Sequence, residues 1–205
     1  MSELFSFPFL DEVPENKLPM PSEINYYALL KERKIYLDFD VCDDVSVIHQ
    51  MILRWNMEDK GKPAEERQPI WIYVQSLGGE LYYMWMLVDA ILLSTTPVYT
   101  VNLGMAASAA SLIFIAGHKR FMTPNAKVLI HEGSAAFSGE ANKVMDATDS
   151  YKKDLKAMKD FILAHTAIPK TQLMKKRNSD WELDANYCLE NKVCDKIIET
   201  LDEVL

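Results

Sequence analysis

Two short stretches of the chain join an apolar run to glycines and small residues, a pattern that suits acyl-transfer chemistry. Residues 70–75 run into Ser-Leu-Gly-Gly, which contains Gly78, and residues 98–103 run into Gly-Met-Ala-Ala-Ser, which ends at Ser108. A turn between a strand and a helix leaves backbone N–H groups without partners, and such donors stabilise an oxyanion. The second turn also supplies a hydroxyl, so Ser108 is a candidate nucleophile.

Composition alone favours a plainer interpretation of the second stretch, a tightly packed helix whose serines are satisfied locally. Ser111 is the competing hydroxyl in the same run. We prefer Ser108 because only the serine nearer the turn can lie at the helix start, where the free N–H groups are. No cysteine follows a glycine turn, so a thiol nucleophile is disfavoured.

A serine nucleophile needs a general base, and the chain has four histidines. His131 follows a predicted strand at 127–130, and strand ends are where sites assemble in parallel α/β sheets. His49 and His165 lie on predicted helices, and His118 lies in a Gly-His-Lys-Arg turn. His131 is therefore the preferred base, although an ordinary strand-end histidine with a solvent partner would show the same pattern.

The third member of such a site is a carboxylate that orients the imidazole, and the candidates are Asp180, Asp184 and Asp195. Asp180 falls between two predicted helical segments, so its side chain can point inward. The alternative role for Asp180 is the N-cap of the helix that follows. Glu132 is adjacent to His131 and would face the opposite side of a strand.

Several classes of function lack their sequence signatures. The chain has no Gly-x-Ser-x-Gly elbow, no Walker A motif and no Gly-x-Gly-x-x-Gly, and we expect it to bind neither a metal nor a nucleotide cofactor.

Lys and Arg total 22 against 30 Asp and Glu, and the formal charge of −8 argues against nucleic acid as a partner. Three cysteines without close spacing indicate a reducing compartment.

The elements that must position these residues alternate between strand and helix, which predicts an α/β class with parallel connections. The predicted strands are 34–39, 70–75, 98–103, 119–123, 127–132 and 194–198. The first predicted helix is 22–33. The second has Val45, Ile48, Ile52 and Trp55 on its buried face, and the third has Leu81, Trp85, Val88 and Leu92 on one side. The remaining predicted helices are one that starts after Gly104, a long one at 140–165 and two shorter ones after Pro169.

We predict a proline-containing N-terminal arm at 1–21, flexible or used for docking, followed by one domain at 22–205. The arm has neither a secretory nor a transit pattern. Residues 90–117 carry no charge and are long enough to span a bilayer, but Pro97, Asn102 and Gly104 interrupt them. A strand, a tight turn and a buried helix explain this stretch better, so no membrane association is expected.

The motifs around Ser108, His131 and Asp180 resemble those of the Clp protease proteolytic subunits. The family's Gly-x-Ala-Ala-Ser run matches residues 104–108, and its Ser-Pro-Gly-Gly turn matches residues 76–79. Residues 27–33 match the family's entry helix, and residues 130–131 match its Ile-His turn. Residues 180–197 match its closing segment. The resemblance covers about residues 22 to 200.

The resemblance implies a role for each matched residue. Ser108 would attack the peptide carbonyl, His131 would take its proton and pass it to the leaving amine, and Asp180 would hold the imidazole. The backbone N–H groups of Gly78 and Ala109 would bind the oxyanion. The implied enzyme is a serine endopeptidase that needs no cofactor of its own.

The resemblance also implies a fold and an assembly. The fold is the one that the Clp and crotonase families share, repeated strand-strand-helix units with a protruding handle helix. The handle region would be about 133–168, with 133–139 as a ring-contact strand. Seven-membered rings would stack as a tetradecamer in the cytoplasm, and a separate ATP-driven AAA+ unfoldase ring would feed unfolded proteins into the chamber.

Two alternatives remain at this level. A crotonase-like acyl-CoA enzyme would share the fold and the paired oxyanion turns but would not need the three-residue set. A non-catalytic or regulated ring subunit would keep the set in a misaligned state. Two departures from the family bear on the second: Glu132-Gly133 replaces Gln-Pro, and Ser179 replaces an arginine before the aspartate. A third departure, Leu77 in place of the proline of the glycine turn, is expected to have small effects because both glycines are kept.

Overall fold

The computed structural model describes residues 20–176 and 179–205. The predicted arm therefore lies almost wholly outside the described residues. The chain divides into two compact units, Met1–Glu32 and Arg33–Leu205. In the first, helix α1 (Pro21–Lys31) begins at a proline, and the Glu23 carboxylate accepts the Met20 N–H at 2.8 Å, so Ser22 is not its cap.

The second unit is built on a mostly parallel sheet, as the alternation of elements predicted. Its strands are β1 (Lys34–Leu37), β2 (Ile70–Ser76), β3 (Val98–Ala107), β4 (Lys119–Met122), β5 (Lys127–Ile130), β6 (Trp181–Asp184) and β7 (Lys196–Ile197). The order β1-β2-β3-β4-β7 is parallel throughout. β5 branches from this path, parallel to β3 and antiparallel to β6.

The helices of this unit pack on the sheet and on one another. They are α2 (Val45–Glu58), α3 (Leu81–Leu93), α4 (Ala109–Ile115), α5 (Ala141–His165), α6 (Lys170–Lys176) and α7 (Ala185–Glu190). α2 packs on β1 and α3, and α4 packs on β2, β3, β5 and α5. The predicted face of α2 is confirmed, because Val45, Ile48, Ile52 and Trp55 are its buried residues.

The predicted face of α3 is confirmed only at Val88. Its buried residues are Met84, Leu87, Val88 and Ile91, whereas Leu81 and Trp85 are half-buried and Leu92 is exposed. α3 is apolar on nearly every side, so the periodicity of its own sequence could not select the buried side. Contacts with α2 and α4 select it instead.

Strand β3 is longer than predicted, and this changes the position of the turn. The strand does not end at Leu103 but continues through Gly104 to Ala107, so α4 starts at Ala109. Residues 99–102 pair with β4, and residues 105–107 pair with β5. The uncharged stretch at 90–117 therefore consists of the end of α3, β3 and α4, and no helix in the described part of the chain is long and apolar enough to cross a bilayer.

The sequence did not predict β6. This strand directly follows Asp180, which the prediction placed between two helices. Asp184 rather than Asp180 caps the next helix, because its carboxylate accepts the Tyr187 N–H at 2.8 Å. The alternative role considered for Asp180 is thus taken by another residue.

The long helix α5 agrees with its predicted bounds, but it is buried only near its C-terminal end, at Met158, Phe161 and Ile162. Residues 133–139 precede it and form no strand within this chain. A strand there needs a partner edge, so the predicted ring-contact strand stays a prediction about an assembly.

A buried ion pair anchors the start of β1. Arg33 adopts a left-handed conformation with φ 59° and binds Asp59, the residue after α2, with two hydrogen bonds of 2.5 and 3.0 Å. Asp59 also accepts from Lys62 at 2.7 Å and from the Thr96 hydroxyl at 2.9 Å. These bonds satisfy a carboxylate whose side chain is 1% exposed.

Candidate active site

Ser108 occupies a sharp turn between β3 and α4. Its φ of 52° and ψ of −123° lie outside the regions that non-glycine residues normally adopt. Its N–H continues the β3–β5 ladder by donating to Leu129 O at 2.9 Å. Such strain persists only where the surroundings impose it, and it concentrates at functional sites.

The Ser108 hydroxyl makes no capping bond to α4 and no other hydrogen bond among the residues the structure describes. Ser111, the competing serine, is fully buried, and its hydroxyl donates to Ser108 O at 2.6 Å. The structure thus makes Ser111 an internal packing residue and leaves Ser108 as the accessible hydroxyl of the pair.

His131 and Asp180 are brought together by the antiparallel β5–β6 pair. The last paired residues of this ladder are Ile130 and Trp181, and His131 and Asp180 are the next residue on each strand. Nδ1 of His131 and Oδ1 of Asp180 are 2.8 Å apart. A carboxylate accepts at this distance from an Nδ1–H, which leaves Nε2 of a neutral imidazole as a proton acceptor.

Ser108 and His131 line one cavity of about 280 Å³. The other lining residues are Leu77, Gly79, Leu81, Glu132, Gly133, Ser134, Tyr151 and Met158. No hydrogen bond joins the Ser108 hydroxyl to His131 among the described residues. Contacts between nucleophile and base are often long in the absence of substrate, so this geometry is compatible with a serine–histidine pair.

The glycine turn after β2 presses directly on the Ser108 turn. A Cβ on Gly78, whose φ is 98°, would lie 2.7 Å from Ser108 Cβ and 2.9 Å from Ala109 N. Gly79 bridges to Val41, since Val41 N–H donates to Gly78 O at 2.8 Å and Glu80 N–H donates to Val41 O at 2.7 Å. Both glycines are required because backbone lies where a side chain would be.

The predicted oxyanion donor on this turn needs a correction. The Gly78 N–H donates within its own turn to Ser76 Oγ at 3.2 Å, and Gly78 does not line the cavity. Gly79 does line it, and the N–H groups of Gly79 and Ala109 have no hydrogen-bond partner within the described part of the chain. The two glycines alone do not distinguish the donors, and the signal that does is the Ser76 hydroxyl, two residues before Gly78.

Two contacts that the sequence did not predict tie the segment after His131 to α5. The Tyr151 hydroxyl donates to Glu132 O at 2.8 Å, and Lys159 Nζ lies 3.4 Å from Glu132 Oε1. Both residues lie on α5. Tyr151 and Met158 of α5 line the cavity, so part of its wall is built on the long helix.

The cysteines do not contribute a nucleophile to this cavity. Burial raises the pKa of Cys188, and burial followed by the charge of Asp195 raises the pKa of Cys194 to about 11, so both remain thiols at neutral pH. Among the described residues, the one group whose ligand atoms lie close enough for a metal is Cys42, Asp43 and Asp44, and none of these lines the cavity.

Comparison with known proteins gives a consistent result over almost the whole chain. The family model described as Clp protease matches residues 21–201. A protein of Porphyromonas gingivalis named ATP-dependent Clp protease proteolytic subunit is 30% identical over 190 residues, which cover 91% of this chain and 83% of that protein.

Two further relatives show the same extent of similarity. The ATP-dependent Clp protease proteolytic subunit of Deinococcus radiodurans is 29% identical over 87% of this chain and 86% of its own length. The ATP-dependent Clp protease proteolytic subunit 2 of Treponema pallidum is 26% identical over 85% of this chain and 86% of its own length. The match therefore includes the segments that carry Ser108, His131 and Asp180.

Proposed function

Because the chain belongs to the Clp protease family, we propose that it is a serine-type endopeptidase that hydrolyses unfolded polypeptides. In this mechanism Ser108 attacks the peptide carbonyl and His131 accepts the hydroxyl proton through Nε2. Asp180 holds the imidazole in the required tautomer and stabilises the imidazolium that forms. His131 then protonates the leaving amine, which leaves an acyl-enzyme on Ser108. In the second half of the reaction His131 takes a proton from water, the water oxygen attacks the acyl carbon, and the proton returns to Ser108 Oγ as the acid is released.

The oxyanion of each tetrahedral intermediate is bound by backbone N–H groups. The Gly79 and Ala109 N–H groups are the available donors, because the Gly78 N–H is bonded to Ser76 Oγ. Donors held rigidly in a site shielded from water stabilise developing charge without reorganisation. The glycine turn and the start of α4 supply the rigid donors, and bound substrate and neighbouring subunits would supply the shielding from water.

The observation that carries the proposal is the 2.8 Å contact of His131 with Asp180 beside a cavity lined by Ser108, whose backbone is strained and whose hydroxyl has no hydrogen bond to the described residues. A crotonase-like enzyme would bind an oxyanion with the same two turns but would not need the oriented imidazole. The contact therefore favours nucleophilic catalysis over acyl-CoA chemistry.

We further propose that the chain works as part of a larger assembly in the cytoplasm, as two stacked heptameric rings fed by an AAA+ unfoldase. The word "ATP-dependent" in the names of its relatives supports an ATPase partner, since this chain has no nucleotide-binding motif. The exposure of Asp180, 73% for its side chain, supports a partner that shields the site. Native mass measurement of the purified protein gives the ring count directly.

A regulated subunit is the second candidate. The observation in its favour is that the described residues include no hydrogen bond between the Ser108 hydroxyl and His131. In that case the purified chain is inactive, and cleavage appears when a second ring protein or an unfoldase is added.

The test of the main proposal is cleavage of an unfolded protein by the wild type and by two matched serine variants. Ser108→Ala should abolish cleavage. Ser111→Ala removes a buried hydroxyl one helical turn away and should retain most of the activity. Undiminished cleavage by Ser108→Ala would contradict the proposal.

A further inference from the structure

The sheet contains a branch point where β3 changes its neighbour. Residues 99–102 of β3 pair with β4 and residues 105–107 pair with β5. On the other side of β3, Val74 pairs with Asn102 but Ser76 pairs with Ala106, so β3 carries extra residues relative to β2. The bulge this creates re-aims β3 toward β5.

Asn102 lies at this branch point and is fully buried. Its side-chain oxygen accepts the Gly104 N–H at 3.1 Å, and its Nδ2 donates to Lys127 O at 2.8 Å. The first bond holds the bulge in β3, and the second holds the first residue of β5. One buried amide thus joins the two strands before their backbone ladder begins.

Gln75 supports the bulge from β2. Its Oε1 accepts the Met105 N–H at 2.9 Å, in place of a backbone carbonyl. A Cβ on Gly104 would overlap this Oε1, so a side chain there would displace the Gln75 amide from its position beside Met105 N–H. The bulge is therefore fixed by side-chain amides on both sides.

The β3–β5 register that starts at Asn102 decides where Ser108 and His131 meet. The ladder pairs Met105 with Lys127 and Ala107 with Leu129, and the Ser108 N–H then donates to Leu129 O at 2.9 Å. His131 follows β5 directly. A change of one residue in this register would move His131 by about 3.3 Å along the strand and turn its side chain to the other face.

We propose that Asn102 is a positioning residue for the serine–histidine pair, acting through the origin of the β3–β5 register. This inference rests on the proposed function, because it concerns how Ser108 and His131 are aligned. A nonpolar residue of similar size could fill the same space, but it would leave Gly104 N–H and Lys127 O without partners and the register unfixed.

The test compares Asn102→Ala with Thr100→Val. Thr100 is a matched control because it is also fully buried on β3, and its hydroxyl donates to Phe114 O of α4 at 2.7 Å rather than to β5. The readouts are kcat and KM for peptide cleavage, the rate at which a fluorophosphonate labels the full-length protein, and the fraction labelled at completion.

We expect Asn102→Ala to lower kcat and the labelling rate by about 10- to 100-fold. Its KM should stay within about twofold of the wild-type value, and the fraction labelled at completion should equal that of the wild type. Thr100→Val should change kcat and the labelling rate by less than about threefold, even if it lowers thermal stability as much as Asn102→Ala does. Complete final labelling separates a misaligned site from an unfolded fraction.

Gln75→Met is the second variant, since Gln75 is exposed and its replacement does not threaten the core. It removes the acceptor for Met105 N–H and should slow labelling by about 3- to 10-fold. The inference is overturned if Asn102→Ala and Gln75→Met both label at the wild-type rate, or if Thr100→Val loses as much kcat as Asn102→Ala. A wild-type chain that is never labelled would instead remove the proposed function, and this inference with it.

Discussion

His131 and Asp180 stand opposite each other one residue beyond the last pair of the β5–β6 ladder, and their side chains meet at 2.8 Å. Residues far apart in the chain are thus placed in contact by strand register alone. Ser108 is related to His131 in the same way, through the parallel β3–β5 ladder. The relative positions of the three candidate catalytic residues are therefore set by two strand pairings, β3–β5 and β5–β6, which share β5.

Replacement of Asp180 tests the first of these relationships. Asp180→Asn keeps the size of the side chain but allows its amide to face Nδ1 of His131, which favours the wrong tautomer. We expect kcat to fall by about 10⁴-fold with little change in KM. Steady-state kinetics on a fluorogenic peptide measure both quantities.

Asp184→Asn is the matched control for that experiment. Asp184 caps α7, and asparagine is an equally good cap, so activity and stability should both be retained. Equal losses of kcat in the two variants would contradict the assignment of Asp180.

Replacement of Gly78 tests the contact between the two turns. The Cβ of Gly78→Ala would lie 2.7 Å from Ser108 Cβ, so the Ser108 turn must shift. We expect peptide cleavage to fall on the order of 10- to 100-fold. Gly61→Ala provides the control, because Gly61 has a similar positive φ of 87° but nothing within 4 Å of its added Cβ. A comparable loss of activity in both would show that backbone strain, and not contact with Ser108, is responsible.

The Arg33–Asp59 pair predicts how stability depends on pH. Burial by itself would raise the pKa of Asp59, but hydrogen bonds from Arg33, Lys62 and Thr96 outweigh it and hold the pKa well below its usual value. Its stabilisation is therefore complete above the unfolded pKa of about 3.9 and is lost as pH falls toward the lower folded value.

Asp59→Asn should accordingly lower the free energy of unfolding by about 3 kcal/mol at pH 7, since buried Arg33 loses its main charged partner. Arg33 keeps the Gln68 carbonyl at 3.0 Å and the Glu58 carboxylate at 3.4 Å, so the loss stays at the low end for a broken buried pair. The difference in the free energy of unfolding between the wild type and Asp59→Asn should become smaller below about pH 4. Urea denaturation of both proteins at pH 7 and at pH 3 measures this difference. Asp160→Asn, which removes only an exposed pair with Lys156, should leave the midpoint nearly unchanged. A difference that stayed constant with pH would refute this account.

The sequence predicted most of the elements because their residues carry local signals. The buried face of α2 and the bounds of α5 follow from periodicity, and β2 follows from a continuous apolar run; the structure confirms all three. The order of the three candidate catalytic residues followed from family motifs. These are properties of short segments and need no knowledge of the tertiary contacts.

The predictions that failed depend on contacts between distant segments. β3 continues past Gly104 because the side chains of Gln75 and Asn102 replace ladder bonds there, and the glycine alone indicated a turn. β6 is short and was not recognised without its partner β5. None of these relationships has a local signature.

Peptide mapping after fluorophosphonate treatment tests the central claim most directly, because it identifies the residue that becomes covalently modified. We expect a single phosphonylated peptide with the adduct on Ser108, and labelling that is lost in Ser108→Ala and strongly slowed in His131→Ala. An adduct on another residue of the assembled, peptide-cleaving protein would contradict it, as would cleavage that continues after Ser108 has been fully modified.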